Sequence, residues 1–174
     1  MRKILLGITI GMVVVLGFFG LSKNRTGEAG KERFPLEDFS ILQANDRNGG
    51  LGFLMVNQSY KNYEFKKEYP WYLWVDIEVR EKNANGHPTS NEATHLNNLE
   101  DEIDAELKKV CGRHYLGRTT FEGTRELLYY VDDPEKANAV LQKLASNPNS
   151  IRQFQFKIEE DKEWSKVAYL FQQD

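Results

Sequence analysis

Two arginines and a glutamate stand where strands ordinarily carry apolar side chains. Arg118 falls within residues 114–121, and Arg125 and Glu126 within 125–131, two runs that otherwise read as β-strands. A guanidinium presents a planar fork of donors suited to a carboxylate or phosphate, so two on one sheet face make a candidate anion site. The competing reading is an internal ion pair with Asp76 or Glu78 from a neighbouring strand. Cys111 is the only thiol, with His114 three residues on and Lys108, Lys109 and Arg113 nearby to favour a thiolate. It closes a helix, however, and that end repels an anion, so a small core residue beside Val110 is the simpler account.

Other chemistry-bearing residues have ordinary explanations. His87, His95 and His114 lack the close pairing or cysteine partners of a zinc site. Glu100 and Asp104 lie one helical turn apart without the loop spacing of a calcium site, and their acidic run reads as a solvated face. Gly49-Gly50-Leu51-Gly52 lacks the following helix and Lys-Ser/Thr of a phosphate loop. Asp161 and Trp164 fit a pocket, though a tail contact explains them more simply. No metal or cofactor is expected and no catalytic residue can be named, so enzymatic activity stays open with the weight against it.

The elements that hold these residues follow from periodicity and turn chemistry. Residues 39–44 and 51–56 flank a turn cluster and form a hairpin. In residues 71–79, Leu73, Val75, Ile77 and Val79 share one face, and Tyr72, Trp74, Asp76 and Glu78 the other. Thr89 and Glu92 fit a capping box, opening a helix whose stripe is Ala93, Leu96, Leu99, Ile103, Leu107 and Val110, ending at Gly112. If Glu122-Gly123 is a two-residue turn, Thr120 pairs with Arg125 and Arg118 with Leu127, which puts Arg118, Arg125 and Tyr129 on one face and Thr119 and Glu126 on the other. Asp133-Pro134 starts a second helix, stopped by Asn147-Pro148. Ile151, Phe154, Phe156 and Ile158 supply the last strand, and the tail after Trp164 is a short helix or strand. The expected class is α+β: a ferredoxin-like βαββαβ sheet with two helices on one face, an N-terminal β-hairpin before it and a short C-terminal element after it.

Ahead of this domain stands a different composition. Met1, Arg2 and Lys3 precede an uncharged run over residues 4–21, closed by Lys23 and Arg25. Such a pattern reads as an apolar helix acting as signal anchor or uncleaved signal over residues 1–22. The polar residues 23–33 follow as a linker, and 34–174 form one α+β domain. This implies a single-pass membrane protein with its C-terminal domain extracytoplasmic, or a secreted or periplasmic one if the signal is cleaved. The positive-inside rule only slightly favours an inner N-terminus. Residues 1–33 carry six basic and two acidic side chains, which with a whole-chain charge of −3 leaves the domain at −7. An acidic domain is a poor match for phosphate backbones, so nucleic acid is excluded as a partner. One cysteine excludes an internal disulfide.

Pro70-Trp71, Leu73-Trp74-Val75, Asn85-Gly86-x-Pro88-Thr89 with Glu92, Leu99-Glu100-Asp101, Gly117-Arg118, Gly123-x-Arg125-Glu126 and Tyr129-Tyr130, closing with Asp161 and Trp164, occur in the order found in a bacterial family. The chain thus resembles domain of unknown function 695 over roughly residues 39–171. The resemblance implies bacterial origin and an α+β fold, and brings no catalytic assignment. Some members of that family look as if they accompany a domain similar to regulator-of-ribonuclease-activity B proteins, and no such second domain is expected here.

The functional expectation is a membrane-tethered, non-enzymatic protein- or peptide-interaction module. Its site residues would be Tyr72, Trp74, Arg118, Arg125, Glu126 and Tyr129, with the aromatics lining an open sheet face unless the hairpin and tail cover it. The alternative is an envelope enzyme or small anionic-ligand receptor using Arg118 and Arg125.

Overall fold

A computed structural model of the chain describes residues 33–45 and 50–172. The apolar segment 1–22 and most of the linker therefore lie outside the described residues, among which no helix is long and apolar enough to cross a membrane. The described residues form six strands and two α-helices: β1 (Phe39–Asn45), β2 (Leu51–Asn57), β3 (Trp71–Glu78), α1 (Ser90–Val110), β4 (Arg113–Phe121), β5 (Thr124–Val131), α2 (Pro134–Ala145) and β6 (Phe154–Glu160). Short 3-10 turns occupy Gln58–Tyr60, Lys66–Glu68 and Ser165–Phe171, so the tail is neither α-helix nor strand.

All six strands form one antiparallel sheet in the order β1-β2-β4-β5-β3-β6. The β4–β5 turn is tight because Glu122 and Gly123 both take positive φ, 47° and 83°, as a two-residue hairpin of matching twist requires. That fixes Thr120 opposite Arg125 and Arg118 opposite Leu127, the expected register. Ile151 stands outside β6 and is exposed, because the chain is still bending there.

The sheet is covered on both faces. On one, Leu73, Val75, Ile77, Leu127, Tyr129 and Val131 meet Leu96, Leu99, Ile103 and Leu107 of α1 and Ala137 and Leu141 of α2. On the other, Val56, Leu116, Leu128 and Tyr130 pack beneath Tyr60, Tyr63, Tyr69, Trp164, Val167 and Leu170. The second cover is held by specific bonds. Trp164 stacks on Tyr130, centroids 4.2 Å apart, and its indole N–H donates to the Tyr69 carbonyl at 2.9 Å. Asp161 accepts from the Tyr130 hydroxyl, from Ser165 and from the Lys166 N–H, which pins the tail to the sheet.

Of the two segments that could cover this face, the tail does and the β1–β2 hairpin does not. It extends the sheet beyond β4 instead, pairing Phe53 with Thr120 and Val56 with Gly117. The close approach depends on Gly117, at φ 137°: a Cβ there would lie 1.9 Å from the Met55 carbonyl oxygen.

Candidate functional site

The candidate site residues are divided between two covered faces, with Glu126 apart from Arg118 and Arg125 as the turn register predicts. Arg118, Arg125 and Tyr129 project to the helix side, in phase with Leu127. Tyr72, Trp74 and Glu126 project to the opposite side, where Tyr72 and Trp74 pack partly buried against the tail-covered core. The register makes the separation unavoidable, since Ile77 stands opposite Arg125 and Asp76 opposite Glu126. Glu126 accepts from the Thr119 hydroxyl at 2.9 Å. Burial, then the Glu126 carboxylate, pushes the Asp76 carboxyl above its usual range.

The arginines do find acidic partners, but not Asp76 or Glu78. Glu100 of α1 accepts from Arg118 at 2.7 Å and from the Tyr115 hydroxyl at 2.5 Å, and lies 3.5 Å from Arg125. Asn97, one turn earlier, accepts from Arg125 at 2.7 Å. Burial and the neighbouring Arg118 charge lower the Arg125 pKa from its ordinary value. Asp104 accepts from Arg113 at 2.6 Å. Glu100 and Asp104 are therefore not part of a solvated face: they turn inward and form a polar seam between α1 and the β4–β5 pair. Several buried atoms of this seam, Asp104 Oδ1, Arg113 Nε, Arg125 Nε and the Tyr129 hydroxyl, have no protein partner. No cluster of His, Cys, Asp and Glu fit for a metal occurs among the described residues.

Glu92 also departs from expectation. Thr89 caps α1 by accepting from the Glu92 N–H at 3.2 Å, but the Glu92 carboxylate does not reach back. It is fully buried, accepting from the Arg80 N–H at 3.0 Å and from both ends of the Arg152 guanidinium. The Arg152 hydrogen bond outweighs burial and brings its pKa down to about 2.

His114 lies in the opposite layer as a buried, hydrogen-bonded ring. The Tyr63 hydroxyl donates to the Arg33 carbonyl at 2.8 Å, so it accepts from His114 Nε2 at 2.8 Å, and Nδ1 accepts from the Tyr60 hydroxyl at 3.0 Å. Burial, then Arg113, depresses its pKa to about 3, which keeps the imidazole neutral. Cys111 and His114 make no nucleophile pair. The Cys111 thiol donates to the Leu107 carbonyl at 3.5 Å, and burial, then Asp132 and Asp133, pushes its pKa up to about 11.

Among the described residues, one unpartnered apolar surface is a strip that the sequence patterns did not single out. On the helix side, Phe39, Ile41 and Gln43 of β1 align with Met55 and Phe53 of β2. Helix α1 lies over the strands further in and leaves this strip open: Ile41 is 72% exposed, and Phe39 and Phe53 38% each. Tyr115 flanks Phe39, His87 flanks Phe53, and Arg118 stands opposite Met55. Beside the strip runs the outer edge of β1, which pairs with nothing among the described residues. The two edges of the sheet differ in chemistry. Edge strand β6 carries Lys157, Glu159 and Glu160, whereas the seven residues of β1, FSILQAN, carry no charge. A shallow cavity of about 270 Å³ lined by Lys61, Lys66, Trp164 and Phe171 lies elsewhere and contains neither arginine.

A profile of the family of unknown function DUF695 matches residues 43–171. No curated protein and no solved structure matches the chain.

Proposed function

The chain belongs to the DUF695 family, and on that footing we propose that it is a membrane-tethered, non-enzymatic protein-interaction module that docks through the β1–β2 hairpin. One observation carries this reading: the uncharged edge of β1, unpaired among the described residues, runs alongside an exposed apolar strip of Phe39, Ile41 and Phe53. Soluble domains normally blunt such an edge with charge, as β6 does here. An extended segment added to β1 gains main-chain hydrogen bonds from the edge and side-chain contacts from the strip.

The tether in this reading is the basic-flanked apolar segment 1–22, joined by linker 23–33, with the domain on the extracytoplasmic side. The ferredoxin-like assignment belongs to the same proposal, supported by the order β4-β5-β3-β6 with both helices on one side. The alternative of an anion receptor has less support, because Glu100 and Asn97 already engage Arg118 and Arg125.

The test is affinity capture from membranes with the full chain and its Ile41→Lys variant. Losing the burial of one isoleucine costs about 2 kcal/mol, and hence about thirtyfold in affinity. Capture should fall accordingly for Ile41→Lys and be unchanged for Tyr169→Lys, an exposed aromatic outside the strip. Equal capture by all three proteins would refute the docking surface.

A further inference from the structure

We infer that the occupant of the β1 edge is the β1 edge of a second copy of this chain, the two strands pairing antiparallel about a two-fold axis near Ile41 and Leu42. The inference rests on the strand-addition reading and names its partner.

Charge placement selects both the partner and its direction. The strand itself has no charge, so two copies can lie edge to edge without like charges facing each other. The nearest described acids, Glu37 and Asp38, immediately precede the strand. Antiparallel pairing keeps the two copies' acids at opposite ends of the ribbon, whereas parallel pairing would set them side by side. A two-fold contact of this kind is self-complementary: each Ile41, exposed in the single chain, is covered by the strip of the other copy. The β6 edge offers no equivalent, since Lys157 at its centre would meet its own kind at the axis.

The size of the contact explains the need for a tether. Seven residues at a rise of about 3.4 Å give a ribbon of about 24 Å. Such a ribbon with its flanking side chains falls short of the roughly 1,600 Å² of a stable free interface. Copies confined to one membrane plane meet at an effective concentration that makes a weak contact sufficient.

The experiment uses the full chain in proteoliposomes, with Cys111→Ser removing the native thiol and Gln43→Cys placing one on the exposed face of β1. A bismaleimide linker should yield a dimer joined through residues 39–45 of both copies. Its amount should drop about tenfold when Ile41→Lys is added, since two lysines would then face each other across the axis. A thiol at Gln155 on β6 should give no such dimer. Only monomer and adducts to other proteins, after membrane extract is added, would overturn the second copy while leaving strand addition standing. No adduct of any kind would overturn both.

Discussion

Gly117→Ala should detach the docking hairpin from the domain. The glycine sits at φ 137° beside the irregularity between Tyr115 and Gly117, and the added methyl would lie 1.9 Å from the Met55 carbonyl oxygen and 3.1 Å from Val56 Cα. Both neighbours are backbone, so no side chain can swing away; β2 itself must move. The strained backbone costs about 1–2 kcal/mol for a residue with a Cβ. Displacing the strand adds about 1–3 kcal/mol by analogy with overpacking. Together this is about 2–5 kcal/mol, and at about 3 °C per kcal/mol for a domain of this size the Tm should fall about 6–15 °C. Calorimetry measures the fall, and amide exchange locates it. Residues 53–56, which pair with 117–120, should lose protection together with β1, while β3 and β5 keep theirs. An unchanged Tm with β1 and β2 still protected would show that Gly117 does not hold the hairpin.

Three further outcomes follow from buried polar groups. Glu92→Gln removes one charge of an ion pair whose other member is buried, and should destabilise by about 3–5 kcal/mol in chemical denaturation. Because the Glu92 pKa is lowered in the fold, its stabilisation is complete above the unfolded carboxylate value and lost as pH falls toward about 2. Glu92→Gln should flatten that acid limb of the stability profile. The His114 ring should remain neutral at pH 5 by NMR, since its folded pKa lies near 3. An unfolded histidine titrates near 6.5, so this group's contribution is complete above that value and declines as pH falls through it. Cys111 should alkylate slowly at neutral pH in the folded protein and rapidly after unfolding, because its thiol is pushed up to about 11; equal rates by mass spectrometry would contradict its burial.

What could be read from the sequence depended on whether a segment buries one face or two. In β3, strict alternation marked Leu73, Val75 and Ile77 as facing the helices, and the Glu122-Gly123 turn set the β4–β5 register. In β5, Leu127 to Val131 is buried at every position, so apolarity alone carried no phase for Arg125 or Tyr129. Matching β5 to β3 across the sheet would have supplied it, since Leu73 stands opposite Tyr129. Glu92 and Glu100 occupy stripe positions, four residues before and after Leu96, a signal within the helical pattern that was masked by the surrounding acids. The cover over Tyr72 and Trp74 was illegible for another reason: residues 57–70 and the tail are irregular and 3-10, held by aromatic contacts and by Asp161 rather than by any period. The exposed strip has no signature in the sequence because Phe39 and Ile41 read as ordinary strand residues. Their exposure depends on how far α1 reaches across the sheet.

In the proposed reading β1, and neither β6 nor the aromatic face, is the working surface. Hydrogen exchange on the full chain in proteoliposomes measures this directly. β1 amides should be protected in the wild-type chain and exchange faster in Ile41→Lys, with β6 and residues 164–171 identical in both. Equal β1 exchange in the two proteins, or a change confined to β6 or the tail, would contradict it.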